Sequence, residues 1–95
     1  MVVVIYTKAA DPYSIRAKAL LRAKHVVFEE RELPEHEKEL RSLCKTTVTP
    51  QILIHGVHIG SFAELGSLEL SGKLDHMLVQ NEKTTTEFRP DQPRS

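Results

Sequence analysis

Few side chains in this sequence are equipped for covalent chemistry. The one thiol is Cys44, followed by Lys45. A reactive thiol must be exposed and ionised. Cys44 instead falls where a charged helix predicted over 35–44 ends, and the negative end of a helix dipole opposes a thiolate. The expected reading is a small, partly buried residue; a relocated nucleophile helped by Lys45 is the sharper alternative. The second place is Lys8-Ala9-Ala10-Asp11-Pro12-Tyr13-Ser14. Asp followed by Pro is a strong helix start, because the carboxylate accepts from free first-turn amides and Pro at the first helical position loses no needed hydrogen bond. Asp11 is therefore expected to be a structural cap rather than a general acid or base, and Ser14 a tolerated small residue. His55 and His58 flank a turn with no third ligand at metal spacing, so no metal site is expected. His25, His36 and His76 are scattered on or near helix surfaces.

The elements that must position these residues are legible in the patterning. Val2-Val3-Val4-Ile5-Tyr6 is a β-branched run suited to a central strand. A helix follows from Asp11-Pro12 through Lys24, with Ile15, Ala17, Ala19, Leu20, Leu21 and Ala23 as a broad apolar stripe. Val26 to Glu30 reads as a second strand at a sheet edge, broken by Leu33-Pro34. The helix over 35–44 turns Leu40 and Leu43 inward. Gln51-Ile52-Leu53-Ile54 and Val57-His58-Ile59 form a hairpin around Gly56. A last helix runs from Phe62 to Leu70 and resumes through Leu74, Met77 and Leu78. The charged stretch from Glu29 to Glu39 is expected to be a solvated face. The order β-α-β-α-β-β-α is that of a small α/β sheet.

Composition bounds the function. Ninety-five residues are room for one domain, read here as 1–80, with 81–95 a flexible polar C-terminal tail. Thirteen Lys and Arg balance thirteen Asp and Glu, and this zero net charge argues against a nucleic-acid partner or an anionic membrane. No apolar run approaches the roughly 20 residues of a membrane span, and the start has no signal-peptide pattern. With a single cysteine, a cytoplasmic location is expected.

Three stretches in order resemble the glutaredoxins of the thioredoxin-like superfamily, over residues 2 to 80. They are Val4 to Ser14 with the helix behind it, Val48-Thr49-Pro50-Gln51-Ile52-Leu53-Ile54, and His58-Ile59-Gly60-Ser61-Phe62-Ala63-Glu64-Leu65. The resemblance implies a thioredoxin-like α/β fold of the glutaredoxin branch: a four-stranded mixed sheet, helices on both faces, and a cis-proline at Pro50. It places Asp11 and Ser14 at the family's nucleophilic and resolving cysteines, Asp-Pro-Tyr-Ser standing for Cys-Pro-Tyr-Cys. A carboxylate or a hydroxyl cannot attack a disulfide to give a mixed disulfide, so no catalytic residue is assigned. The same resemblance implies Lys8, Tyr13, Thr49, Pro50, Phe62 and Ala63 as candidate glutathione contacts. That pocket is weakened where Ala63 replaces an acidic residue, Thr47 a basic one and Ser61 a glycine. No cofactor is required. Two functions follow as expectations. The first is a binding module without thiol exchange, holding a protein or peptide in the cis-proline groove, or glutathione weakly. The alternative is a glutathione-dependent oxidoreductase or transferase, either glutaredoxin-related or a cysteine-substituted variant of an active one.

Overall fold

A computed structural model describes residues 3–78; the expected tail at 81–95 lies outside the described residues. The chain runs β1 (Val3–Lys8), α1 (Pro12–Ala23), β2 (Phe28–Leu33), α2 (Glu37–Cys44), β3 (Gln51–Ile54), β4 (Val57–Gly60) and α3 (Phe62–Leu70). A further helical stretch covers 73–78. The four strands form one mixed sheet in the order β2-β1-β3-β4. β1 pairs in parallel with β2 and antiparallel with β3, and β3 pairs antiparallel with β4. The β-branched run at the start therefore is central, as its composition predicts.

Each face of the sheet has its own apolar layer. Val3, Ile5, Ile52 and Ile54 pack with Ala17 and Leu21 of α1, Leu65 of α3 and Leu74. On the opposite face Tyr6 and Leu53 pack with Leu40 of α2, and Cys44 lies against them. Each large apolar side chain buried this way contributes on the order of 1.5–3 kcal/mol. The first layer holds α1 and α3 on one face, where Thr49 before Pro50 meets the start of α1 and Tyr13 meets Phe62 at the start of α3.

Several details differ from the sequence reading. Ile15 is 55% exposed, and Ser14 takes its place in register with Ala17 and Leu21 on the buried face. The apolar stripe of α1 is thus narrower than a count of apolar residues implies. Leu43 is likewise 53% exposed, while Leu40 and Cys44, four apart, face the sheet. β2 begins two residues later than expected, because the chain is still closing α1. His25 turns left-handed (φ 61°), the His25 amide donates to the Arg22 carbonyl, and the Val26 amide donates to that of Leu21. This double closure ends the helix and spends the Val26 amide before pairing starts. The peptide bond before Pro50 is cis, as the resemblance implies, and so is the one before Pro34, which no motif announces.

The charged stretch from Glu29 to Glu39 is not a plain solvated face. Parallel pairing puts Arg31 opposite Tyr6. The Tyr6 hydroxyl donates to Glu39 and accepts from Arg31 Nη1 at 3.1 Å, while Arg31 also pairs with Glu39 and, at 2.8 Å, with Glu29. One residue before Arg31, Glu30 accepts from the buried Thr7 hydroxyl at 2.7 Å and from Lys18 of α1 at 2.8 Å. The acids and bases of β2 thus join the sheet to both helices beside it. Tyr6→Phe removes a hydroxyl bonded to charged groups and should lower stability by about 1–3 kcal/mol, read from urea unfolding; an unchanged midpoint would show the hydroxyl to be energetically idle.

Candidate functional site

The site begins where β1 ends. The chain leaves Lys8, passes Ala10 in the left-handed region (φ 66°) and closes a turn in which the Asp11 amide donates to the Lys8 carbonyl at 3.1 Å. This turn sets Asp11 at the N-cap of α1, with Pro12 following. The Asp11 carboxylate then collects three donors. Oδ1 accepts from the Tyr13 amide at 3.2 Å, and Oδ2 accepts from the Ser14 hydroxyl at 2.8 Å and the Thr49 hydroxyl at 2.8 Å. Capping by Asp11 agrees with the sequence. The contact with Thr49 has no local signal, since the two residues are 38 apart.

Ser14 is more than a tolerated small residue. It is buried, accepts from the Lys8 amide at 3.3 Å and donates its own hydrogen bond to Asp11. A buried hydroxyl costs free energy unless bonded, and this one is bonded on both sides. The end of β1, the first turn of α1 and the residue before Pro50 are therefore joined through one carboxylate.

Electrostatics keep that carboxylate charged. Burial pushes the Asp11 pKa up, but the Ser14 and Thr49 hydroxyls and the Tyr13 and Ser14 amides outweigh it and hold the group below its ordinary value. The positive end of the α1 dipole acts in the same sense. The position is thus occupied by an anion that belongs to the chain.

The other candidate residues surround this point. Pro50 is buried, and Thr49 is half-buried beside it. Tyr13 is 52% exposed, with its ring centroid 5.9 Å from that of Phe62 at the start of α3. The Arg16 guanidinium stands 5.3 Å from the Tyr13 ring centre. Val48, next to Thr49, is 62% exposed. Lys8 is exposed and enters the network through its backbone amide; Ala63 is exposed in the first turn of α3. The structure thus links Asp11, Ser14, Tyr13, Thr49 and Phe62 through direct contacts, and sets Lys8 and Ala63 at the margins.

A second carboxylate sits at the start of α3. The Ser61 amide and hydroxyl donate to Glu64 Oε1 at 2.8 and 2.6 Å, which holds the Glu64 pKa below its ordinary value. Gly60 makes room for this contact: at φ 129° it adopts a backbone open to glycine, and a Cβ there would meet Glu64 Cγ at 2.8 Å. The Phe62 and Ala63 amides, at the first two helical positions, are not consumed by this pair.

The remaining chemistry-bearing residues are elsewhere. Cys44 packs at the edge of the Tyr6 layer, and burial pushes its thiol pKa up, away from reactivity. His58 Nε2 lies 2.6 Å from Gln51 Oε1. Among the described residues, no three His, Cys, Asp or Glu side chains are grouped to hold a metal ion. No described helix is long and apolar enough to cross a membrane.

Comparison with known proteins is consistent with this geometry. The family model described as Glutaredoxin matches residues 3–59. A glutaredoxin of Pseudomonas aeruginosa is 47% identical over 79 residues, covering 80% of this chain and 94% of the relative. The solution structure of a glutaredoxin from Brucella melitensis superposes with a TM-score of 0.69 at 42% identity, covering 80% of this chain and 86% of that one. The crystal structure of a buckwheat glutaredoxin–glutathione complex shares the fold, with a TM-score of 0.76 at 24% identity over 83% of this chain and 77% of that one.

If Asp11 ties three segments together, Asp11→Ala should cost roughly 0.5–2 kcal/mol. Because its folded pKa is depressed, its contribution is present above the unfolded value near 3.9 and is lost as pH falls through the folded one. The stability gap between parent and variant should therefore shrink on acidification through that window. A gap of the same size at pH 7 and at pH 2 would remove the ionised carboxylate from the account.

Proposed function

The chain belongs to the glutaredoxin family, and we propose that it works there as a binding module rather than as a thiol–disulfide exchange enzyme. The observation that carries this reading is the Asp11 carboxylate, held by Tyr13, Ser14 and Thr49 at the N-terminus of α1. By resemblance this is the nucleophile's position. Thiol exchange needs a thiolate that attacks sulfur, carries the mixed disulfide and leaves again. Asp11 does none of these, and Ser14, buried and doubly bonded, cannot resolve one. Cys44 offers no replacement, since it lies on the opposite sheet face with its thiol kept protonated by burial.

What the groove retains is a recognition surface. Half-buried Thr49, beside the buried Pro50, stands on one side, exposed Tyr13 against half-buried Phe62 on the other, and the Phe62 and Ala63 amides of the first turn of α3 lie beyond. Such a surface suits an extended protein or peptide segment, and more weakly glutathione. Glutathione would place a carboxylate toward Lys8 and another toward the α3 amides, where positive charge and donors favour anions. The structural relative from buckwheat is itself a glutathione complex. The unpaired cysteine supports a reducing compartment such as the cytoplasm.

The second reading is retained activity: the relatives carry the name glutaredoxin, which favours a glutathione-dependent redox role. One assay separates the two. Glutathione-dependent reduction of a small disulfide should stay at background for the parent chain and rise clearly for Asp11→Cys, which returns the thiol to an otherwise intact groove. Parent activity above background that disappears in Cys44→Ser would establish a relocated thiol and overturn the binding-module reading.

A further inference from the structure

We infer that the small-molecule ligand class of this groove is a glutathione thioether bearing an apolar S-substituent, with the Tyr13–Phe62 pair holding the substituent; this rests on the reading that the groove accepts glutathione. The argument starts from what Asp11 uses up. Its carboxylate takes the Tyr13 amide, the Ser14 hydroxyl and the Thr49 hydroxyl, three donors from two separate segments. A thiolate brought to this point finds those donors spent and a like charge in place, an unfavourable pairing in a half-buried setting. A thioether sulfur carries no charge and needs no donor.

The second part of the argument is apolar surface at the same point. Tyr13, whose amide is on Asp11, is 52% exposed, and Val48, adjacent to the Thr49 that reaches Asp11, is 62% exposed. Phe62 lies across from Tyr13 at 5.9 Å between ring centres, tilted by 40°. Arg16 rests against the Tyr13 ring and adds a further side to the shelf. Exposed aromatic surface beside a fixed carboxylate suits a ligand whose sulfur is already capped with hydrocarbon. Charge complementarity holds at the ends of the ligand, where exposed Lys8 and the Phe62 and Ala63 amides at the N-terminus of α3 suit its two carboxylates. Every methylene buried on the shelf is worth up to about fourfold in affinity.

The test is an amide-shift NMR titration of the full chain with reduced glutathione, S-methylglutathione, S-hexylglutathione and 1-hexanol. S-methylglutathione should bind no more weakly than reduced glutathione. S-hexylglutathione should bind at least about tenfold more tightly than the S-methyl compound, with shifts at Tyr13, Phe62 and Ala63. Tyr13→Ala, a change at an exposed side chain, should remove the gain from the hexyl group, so that within this variant the S-hexyl and S-methyl compounds bind alike. Asp11→Asn should bring reduced glutathione level with S-methylglutathione. Equal affinity for all three tripeptides would overturn the inference while leaving glutathione binding intact. Saturation of the same shifts by 1-hexanol at the same concentration would overturn it too, by making the shelf a general apolar surface. Binding of none of the tripeptides at millimolar concentration would overturn both this inference and the glutathione part of the reading, leaving the protein-binding part untouched.

Discussion

A carboxylate placed against the first turn of a helix must be satisfied from several directions, and the Asp11 carboxylate is satisfied by three donors from two separate stretches of chain. The turn from β1 delivers it, the first turn of α1 supplies an amide and a buried hydroxyl, and the residue before Pro50 supplies the third donor. None of these contacts is strong singly, each worth about 1 kcal/mol and somewhat more where the acceptor is charged. Their effect is positional. The Thr49 hydroxyl ties the Pro50 segment to the start of α1.

The same constraint decides the chemistry. A helix N-terminus favours negative charge, and a protein that uses this to keep a sulfur nucleophile ionised must leave the position free for sulfur. Here the position is permanently filled by oxygen. On the proposed reading the Tyr13–Phe62 pair and the α3 amides, which take no part in bond making, would still serve recognition. Recognition and reaction thus separate on that reading: an Asp where the resemblance sets the nucleophile would remove the second and leave most of the first.

Much of this was readable from the residues. The β-branched run at Val3–Tyr6, the Asp11-Pro12 start and the His55-Gly56 turn each follow from local chemistry, and each appears where its signal stands. The failures share a different cause. Ile15 and Leu43 look like core residues until helical phase is fixed by what α1 and α2 pack upon, and then Ser14 and Cys44 take those places. The late start of β2 follows from the way His25 and Val26 finish the helix before it. Glu30, Arg31 and Glu39 look like solvated charge because their partners, Thr7, Lys18 and Tyr6, become neighbours only through strand register and packing. The bond from Thr49 to Asp11 is of the same kind: the resemblance sets both residues at the site, and only the fold makes them touch.

The most direct test of the central claim is the ionisation of Asp11 itself, followed by carbon-detected NMR of its carboxyl group in the parent and in Thr49→Val. The account predicts a parent pKa below the ordinary carboxylate value, rising when the Thr49 hydroxyl is removed and rising again when Ser14→Ala is added. An Asp11 that titrates at or above its ordinary value, or whose pKa is unmoved by both substitutions, would contradict it.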